Sequence, residues 1–307
     1  MSMRVIFLGT AGSVPTLKRS LPGVIVQRKN EQLMFDCGEG IQRQMLMAKT
    51  GFHKKMKVFI SHMHGDHVLG LPGLLQTMAL MDRQWRLQIY GPEGIAHFLK
   101  CAKETLQFGL TYPVEIDEIY GPGIICDEKE YIIEAFSSNH VTTSFAYTFV
   151  EKNRPGKFFP EKAKELGIPE GDLWSKLQHG SKIKLPNGIT VKPEDVMGPP
   201  RKGRKIVYTG DTRPIKGFTR FASGADLVIH DATLDDTLAE KAAEDGHSTP
   251  SQAAHEASKA KAKLLVLNHI SARYSDAELL LEQAKKVFRN TIVAEDFLEF
   301  ELQLADD

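Results

Sequence analysis

Residues 61–67, Ser-His-Met-His-Gly-Asp-His, constrain the fold and chemistry of this chain more than any other stretch. They place three histidines and one carboxylate within six positions, directly after the apolar run at residues 58–60. An apolar run that ends in a glycine-containing turn is typical of a buried strand that enters a loop. Imidazole and carboxylate groups at this density suit Zn²⁺ or a similar borderline metal ion. We therefore predict a metal centre at the end of a strand, with candidate ligands His62, His64, Asp66 and His67.

Four such groups exceed what one metal ion can use while it keeps a position open for chemistry. His62 and His64 alternate along the chain and would point the same way, whereas Asp66 and His67 come from the following turn. The spacing thus suggests two neighbouring metal ions. The alternative is a histidine-rich surface turn with adventitious affinity, which the specific His-x-His-x-Asp-His pattern disfavours.

The bulk composition is that of an ordinary globular protein. The 307 residues are 42% hydrophobic and 25% charged, and the formal net charge is zero, so nothing global indicates a polyanionic partner. The three cysteines, Cys37, Cys101 and Cys126, form no CxxC pair. This usage favours a reducing, cytoplasmic setting. No stretch approaches ~20 uninterrupted apolar residues, so neither a membrane span nor a membrane partner is expected, and the N-terminus does not resemble a signal peptide.

Apolar, strand-like runs alternate with helix-like segments, which favours an α/β layer architecture. Helices are predicted up to about residue 49, at 69–81 and at 92–108. Strands are predicted at residues 4–9, 23–27, 32–35, 58–60, 87–90, 205–209, 226–230, 263–267 and 292–294. Polar groups follow the carboxyl ends of several apolar runs, where layered α/β proteins usually place their sites. Three of these groups are His140, Asp211 and His269.

These residues can complete the predicted metal centre. One ion would take His62, His64, His140 and one oxygen of Asp211. The second would take Asp66, His67, His269 and the other oxygen of Asp211. A bridging carboxylate suits ions held ~3.5–4 Å apart, and a water between them would lose a proton readily and become a nucleophile at neutral pH. Taken singly, Asp211 could merely cap a turn, and a buried histidine could be a hydrogen-bonded core residue.

The segment from residue 152 to 202 differs in composition from the rest. Residues 152–205 contain 13 Lys or Arg against 6 Asp or Glu, and seven of the 15 prolines lie in the same stretch. Apolar residues such as Phe158, Leu173 and Trp174 nevertheless recur there. We predict an inserted, protruding basic arm with some local folding. The alternative is a solvated linker, although long loops in compact domains are usually functional or disordered.

The metal motif with its flank, residues 61–73, resembles ribonuclease Z of the metallo-β-lactamase superfamily. Residues 7–12, 36–40 and 247–249 also resemble that family. The resemblance implies a metallo-β-lactamase-like αββα sandwich, two sheets packed face to face with helices outside. It implies one domain over residues 1–307, with 152–202 as an inserted tRNA exosite. It also implies two Zn²⁺ per subunit and a homodimer in which one subunit's arm grips the tRNA that the other cuts.

The implied activity is a zinc-dependent endoribonuclease that removes the 3′ trailer from precursor tRNA, through attack of a metal-bridging hydroxide. It would leave a 3′-hydroxyl on the tRNA and a 5′-phosphate on the trailer. Asp66 would orient the attacking hydroxide as well as hold metal. Asp36 would orient a ligand histidine, as metal-bound imidazoles usually require.

His247 is the candidate proton donor for the departing oxygen. It precedes Thr249-Pro250-Ser251-Gln252, a predicted capping box with proline at the first helical position. The positive end of that helix should disfavour extra positive charge on the imidazole and make it a readier acid. The family pairs this histidine with the Glu of a His-Glu-Ala-Thr motif, where this chain has Asp231. Because the side chain is one methylene shorter, Asp231 could reach His247 directly or through a water.

Three other functions share some of these features. A general di-metal phosphodiesterase would use the same site on small esters. A thioesterase of the glyoxalase II kind shares the motif, but gives the basic arm no evident role. A non-catalytic RNA-binding or metal-storing module would not need the complete ligand set.

Overall fold

The computed structural model describes residues 2–304. Contacts within the chain divide it into two compact units. The main unit comprises residues 2–150 and 204–303. The second unit comprises residues 151–203 with Leu304.

The first sheet of the main unit has seven strands. In spatial order these are β18 (Glu299–Glu301), β1 (Met3–Gly9), β3 (Gly23–Arg28), β4 (Glu31–Phe35), β5 (Lys55–Phe59), β6 (Leu87–Pro92) and β7 (Val114–Ile119). The pairs from β18 to β4 are antiparallel, whereas those from β4 to β7 are parallel. The parallel strands bring their carboxyl ends to one edge of the sheet.

The second sheet also has seven strands and a similar mixed plan. In spatial order these are β17 (Thr291–Val293), β15 (Leu265–Asn268), β14 (Leu227–Asp231), β13 (Lys205–Tyr208), β10 (Phe145–Glu151), β9 (Tyr131–Ser137) and β8 (Gly123–Asp127). Strands β13, β14, β15 and β17 run parallel. A two-stranded parallel pair, β2 (Ala11–Gly12) with β16 (Ile270–Ser271), lies outside the two large sheets.

The two sheets pack face to face because alternate side chains of each strand point to opposite faces. In β1, Val5 and Phe7 join one buried cluster with Tyr147 and Ile229 of the second sheet. Ile6 and Leu8 of β1 join a different cluster, under the helices. Stacked sheets with one face against each other and one face under helices form the predicted αββα sandwich.

Helices cover the outer face of each sheet. Against the first sheet lie α1 (Ile41–Met47), α2 (Gly65–Val68), α3 (Gly70–Leu80) and α4 (Ile95–Leu106). Against the second lie α8 (Phe218–Ala222), α10 (Pro250–Lys259) and α11 (Glu278–Lys285). A 3₁₀ turn at Asp236–Leu238 and α9 (Ala239–Asp245) precede α10 in the chain. Within residues 2–304, none of the helices combines the length and apolar character needed to cross a bilayer.

The second unit has a small hydrophobic core of its own. Its elements are α5 (Pro160–Glu165), α6 (Asp172–Gln178), β11 (Ile183–Lys184), β12 (Thr190–Val191) and α7 (Pro193–Val196). Ala163, Leu177 and Val196 are fully buried in this core. The Trp174 ring lies 5.1 Å from that of Phe158, and its indole N–H donates to the Ile168 carbonyl. The apolar residues that recur in the basic segment therefore fold against one another.

Candidate metal centre

Strand ends deliver almost all of the predicted site residues. Strand β5 leads into the segment with His62, His64, Asp66 and His67, of which the last two lie on α2. In the second sheet, β9, β13 and β15 lead to His140, Asp211 and His269, and β14 ends at Asp231. His247 instead precedes α10, whose capping box between Thr249 and Gln252 is formed as predicted. The structure brings all nine residues together in one place.

The first cluster contains His62, His64 and His140. One candidate ligand atom from each lies within 4.8 Å of the others. The His62 ring centroid lies 4.5 Å from that of His64 and 4.8 Å from that of His140. Nε2 of His140 lies 3.3 Å from Nδ1 of His64. Three imidazoles thus direct nitrogen atoms at a common point.

The second cluster contains Asp66, His67, Asp211 and His269. Oδ2 of Asp211 lies 3.3 Å from Nε2 of both histidines, and Oδ2 of Asp66 lies 3.4 Å from the same two atoms. Oδ2 of Asp211 is also 3.8 Å from Nε2 of His62 in the first cluster. The Asp211 carboxylate therefore has its nearest contacts in the second cluster and faces the first.

Three buried atoms of these clusters have no hydrogen-bond partner among the described residues. They are Nε2 of His62, Nε2 of His67 and Oδ1 of Asp211. A buried polar atom without a partner costs about 1–3 kcal/mol, so such atoms normally have a partner of another kind. Imidazole nitrogens and carboxylate oxygens that face one another suit a divalent metal ion. The donor set therefore fits a centre that binds divalent metal ions.

Charge and burial set the protonation of these groups. Burial, together with the charge on His67, lowers the pKa of His62 well below its usual value, which favours the neutral imidazole that metals bind. Burial alone would raise the pKa of Asp211, but His269 and His67 hold it well below its usual value. Burial likewise opposes ionisation of Asp66, but the neighbouring imidazoles of His269 and His67 outweigh burial and lower the pKa of Asp66. Both carboxylates are thus kept ionised.

Asp36 fixes two of the histidines from behind. Its Oδ2 accepts hydrogen bonds from Nδ1 of His67 at 2.7 Å, from the Ser61 hydroxyl at 2.8 Å and from the Tyr208 hydroxyl at 2.6 Å. Oγ of Ser61 lies 2.9 Å from Nδ1 of His62. Asp36 therefore occupies the position predicted for it. The parts played by Ser61 and Tyr208 had no separate signal in the sequence, beyond the position of each at the end of a strand.

His269 and His140 are held in the same way by other groups. The Thr233 hydroxyl lies 2.8 Å from Nδ1 of His269 and donates to Oδ1 of Asp231 at 2.6 Å. Nδ1 of His140 donates to the carbonyl of Gly246 at 2.8 Å. The sequence does not predict these contacts of Thr233 and the Gly246 carbonyl. Thr233 is nevertheless the last residue of His-Asp-Ala-Thr, residues 230–233, which is this chain's form of the family's His-Glu-Ala-Thr motif.

His247 contacts Asp231 directly. Its Nδ1 lies 2.9 Å from Oδ2 of Asp231, so the shorter side chain reaches without an intervening water. The His247 ring stacks on that of His269, with 5.2 Å between centroids, and lies 5.3 Å from that of His140.

The expectation that the end of α10 would disfavour charge on His247 is wrong. Burial does lower the pKa of His247, but the charge of Asp231, its hydrogen bond and the charge of Asp211 outweigh burial and raise that pKa to about 9. Two carboxylates near the ring have a larger effect than partial charges at the end of a helix. The imidazole is therefore a proton-carrying group at neutral pH.

Comparison with known proteins agrees with the fold. Residues 3–152 match the family model described as "Anti-Pycsar protein Apyc1", and residues 174–270 match "Beta-lactamase superfamily domain". The metallo-β-lactamase fold protein YhfI from Bacillus subtilis superposes with a TM-score of 0.69 at 20% identity, covering 98% of this chain and 100% of that one. The protein is thus a metallo-β-lactamase-fold protein with a divalent metal centre.

Similarity in sequence narrows the class. Ribonuclease Z of Methanosarcina acetivorans is 46% identical over 301 residues, which cover 98% of each chain. The crystal structure of human tRNase Z, short form, superposes with a TM-score of 0.73 at 28% identity, covering 98% of this chain and 100% of that one. The chain belongs to the ribonuclease Z family, and it is accordingly a hydrolase of the endoribonuclease type.

Proposed function

We propose that the protein removes the 3′ trailer from precursor tRNA and uses two Zn²⁺ per subunit to do so. The observation that carries this proposal is the convergence of two His and Asp clusters on Asp211, in a chain closely similar to ribonuclease Z. His62, His64 and His140 would hold one ion, and Asp66, His67 and His269 the other, with Asp211 shared. Two such ions supply an activated water and neutralise charge on the phosphoryl oxygens.

Asp66 would orient the attacking water. Its Oδ2 accepts a hydrogen bond from the backbone N–H of Ser13 at 3.0 Å, and its side chain is 12% exposed. A carboxylate that is ionised, held in place and open to solvent can accept a hydrogen bond from a water and direct its lone pair at phosphorus.

His247 would donate the proton to the departing oxygen. Since Asp231 binds Nδ1, the proton on Nε2 is the one available for transfer. Asp231 itself is held by the backbone N–H groups of Thr212 and Thr233, at 3.0 and 2.9 Å. The proton would pass to the 3′ oxygen of the tRNA as its bond to phosphorus breaks. The tRNA would then end in a 3′-hydroxyl, and the trailer would keep a 5′-phosphate.

The second unit would bind the tRNA body. Its exposed lysines include several that form no ion pair among the described residues: Lys157, Lys176, Lys182, Lys184 and Lys202. Unpaired cations on a folded unit suit contacts with phosphates, whose affinity falls as salt rises. A structured RNA is recognised largely by shape and backbone, which such a surface can follow.

A deletion can test this proposal without disturbing the site. Arg154 and Arg201 form an antiparallel bridge, with backbone N–H to carbonyl distances of 2.8 and 2.9 Å. Residues 155–200 can therefore be replaced by an Asn-Gly turn. We expect the shortened protein to lose at least ~100-fold in cleavage of precursor tRNA, since phosphate contacts supply most of the affinity. Hydrolysis of bis(p-nitrophenyl) phosphate should stay near the wild-type rate.

The same pair of substrates separates the proposal from its main alternative. If the wild-type protein hydrolyses the small ester but leaves precursor tRNA intact, the protein is a general di-metal phosphodiesterase. If the deletion abolishes both activities equally, the second unit is not an RNA-binding element.

We further propose a homodimer in which the second unit of one subunit serves the metal centre of the other. Mixing the shortened protein with an Asp66→Ala variant tests this arrangement. Activity on precursor tRNA should reappear in the mixture although each component is inactive alone. A mixture as inactive as its components, at concentrations where dimers exchange, would rule it out.

A further inference from the structure

Arg213 joins three segments that meet at the metal centre. Its guanidinium donates through Nε to the carbonyl of Ala243 and through Nη2 to that of Glu244, at 3.1 Å for the latter. Its Nη1 lies 3.5 Å from the carbonyl oxygen of Asn139, and its backbone N–H donates to the same oxygen at 2.9 Å. Arg213 therefore links the loop after Asp211 to the end of α9 and to the segment before His140.

The carbonyls that Arg213 binds belong to the last turn of α9. Carbonyls in the last turn of a helix lack partners within the helix, and a cation there is favourable. Gly246 follows directly with φ of 90°, and its carbonyl accepts the hydrogen bond from His140. His247 is the next residue. The position of the end of α9 thus sets the position of both histidines.

The backbone of Gly246 lies in close contact with the His140 ring, so a shift of the end of α9 also shifts that ring. A Cβ atom on Gly246 would lie 2.5 Å from Nδ1 of His140, so the backbone packs directly on the ring. The neighbour of Arg213 strengthens the same junction. Oγ1 of Thr212 accepts a hydrogen bond from the N–H of Asn139 at 2.9 Å, and the Thr212 carbonyl accepts one from the Ser248 hydroxyl at 2.6 Å.

We propose that Arg213 is a positioning residue for the metal centre. It docks the end of α9 against the Asp211 loop, so that the Gly246 carbonyl holds His140 in the first cluster and His247 stays beside Asp231. Its effect on His247 rests on the proposed function, whereas its effect on His140 concerns metal binding alone. A simple helix cap would stabilise α9 and leave metal binding unchanged.

Metal affinity distinguishes these roles. The apoprotein of the Arg213→Ala variant is titrated with Zn²⁺ and Co²⁺ against a chelator, beside wild type. Removing a group that orients a ligand histidine typically weakens metal binding 10–100-fold. For either metal, we therefore expect about that loss of affinity at the position that His140 would serve, and wild-type affinity at the other position. On precursor tRNA, kcat should fall about 10-fold or more while KM stays within about twofold.

Two further variants and one control complete the test. Arg213→Lys keeps the charge but not the fork of donors, and should recover part of the affinity. Gly246→Ala keeps Arg213 but moves the Gly246 carbonyl away from His140, and should lower metal affinity at the same position as Arg213→Ala does. Lys241→Ala removes an exposed cation that pairs with Asp245 on the same helix, at 2.9 Å, and should change neither quantity.

The proposal is overturned if Arg213→Ala lowers the melting temperature while kcat and the metal affinity of both positions stay within about twofold of wild type. If that variant does not fold, the comparison of Arg213→Lys and Gly246→Ala decides in the same way. Failure of the wild-type protein to cut precursor tRNA would refute the proposed function and leave the metal titration valid.

Discussion

Oδ2 of Asp36 lies 2.7 Å from Nδ1 of His67, and neither side chain has any exposed surface. The same oxygen accepts hydrogen bonds from Ser61 and Tyr208, and Ser61 in turn contacts His62. One carboxylate therefore orients a histidine in each of the two clusters. This arrangement ties the geometry of the clusters together without occupying a position that a metal ion needs.

Replacing Asp36 by Asn should weaken metal binding about 10–100-fold, because an amide cannot accept all of these hydrogen bonds. Zinc retained after dialysis against a chelator measures the effect. Tyr208→Phe removes only one donor and should have a smaller effect. Wild-type zinc retention in the Asp36→Asn variant would show that His67 does not need this partner.

His247→Ala should lower the rate of precursor cleavage about 10²–10⁴-fold, the usual contribution of a general acid. Its zinc content should equal that of wild type, because His247 is proposed as a proton donor and not as a ligand. Loss of zinc instead would remove the proposed role. Adding Asp231→Asn to this variant should cost little more in proton transfer. Any loss of zinc that it causes would instead reflect the contact of Asp231 with Thr233, which lies beside His269.

Lys182 and Lys184 flank the buried Ile183 in β11 and are both exposed. Changing both to Gln should raise KM for precursor tRNA and reduce the salt dependence of binding by about one to two units of log–log slope. Hydrolysis of the small ester should not change. Gln at the exposed Lys100 and Lys103 of α4 provides the matched control. An equal effect from the control pair would mean that the second unit has no special part in binding.

His230 should contribute to the stability of the folded protein in a pH-dependent way. Its buried ring contacts Glu256 through Nε2 at 2.9 Å and the Asp231 carbonyl through Nδ1 at 2.8 Å. Burial lowers the pKa of His230, but the hydrogen bond and charge of Glu256 outweigh it, so the folded pKa is raised. The stabilisation is therefore fully present below the unfolded pKa of about 6.5 and is lost as pH rises through the folded value.

Glu256→Gln should accordingly destabilise the protein by about 1–3 kcal/mol at pH 6 and by less at pH 9. Urea denaturation of both proteins at the two pH values measures this difference. A difference that is the same at both would mean that His230 carries no proton in the folded protein.

The convergence of the candidate metal ligands could be predicted because each of them is marked by its local sequence. The motif at residues 62–67 is contiguous, and His140, Asp211 and His269 each follow an apolar run, so strand ends alone bring them together. The predicted helix boundaries lie within three residues of the observed ones, because helix ends are also marked by local sequence. The segment predicted as a helix at 69–81 is α3, Gly70–Leu80, and the one predicted at 92–108 is the shorter α4, Ile95–Leu106.

The supporting contacts could not be predicted because they depend on packing between distant segments. The Tyr208 hydroxyl meets Asp36 across 172 positions of sequence, and His140 meets a backbone carbonyl that no side chain marks. The predicted sign of the pKa shift of His247 is wrong for a related reason. The helix end is visible in the sequence, whereas the closer carboxylates of Asp231 and Asp211 are placed by the fold.

The second unit is inserted between β10 and β13, which pair as antiparallel neighbours up to Val150 and Lys205. It therefore replaces what would otherwise be a hairpin turn, and the ladder between these strands does not depend on what the turn contains. The length of this module can therefore change without refolding the sandwich. The same property makes this strand pair a natural grafting point for another folded module.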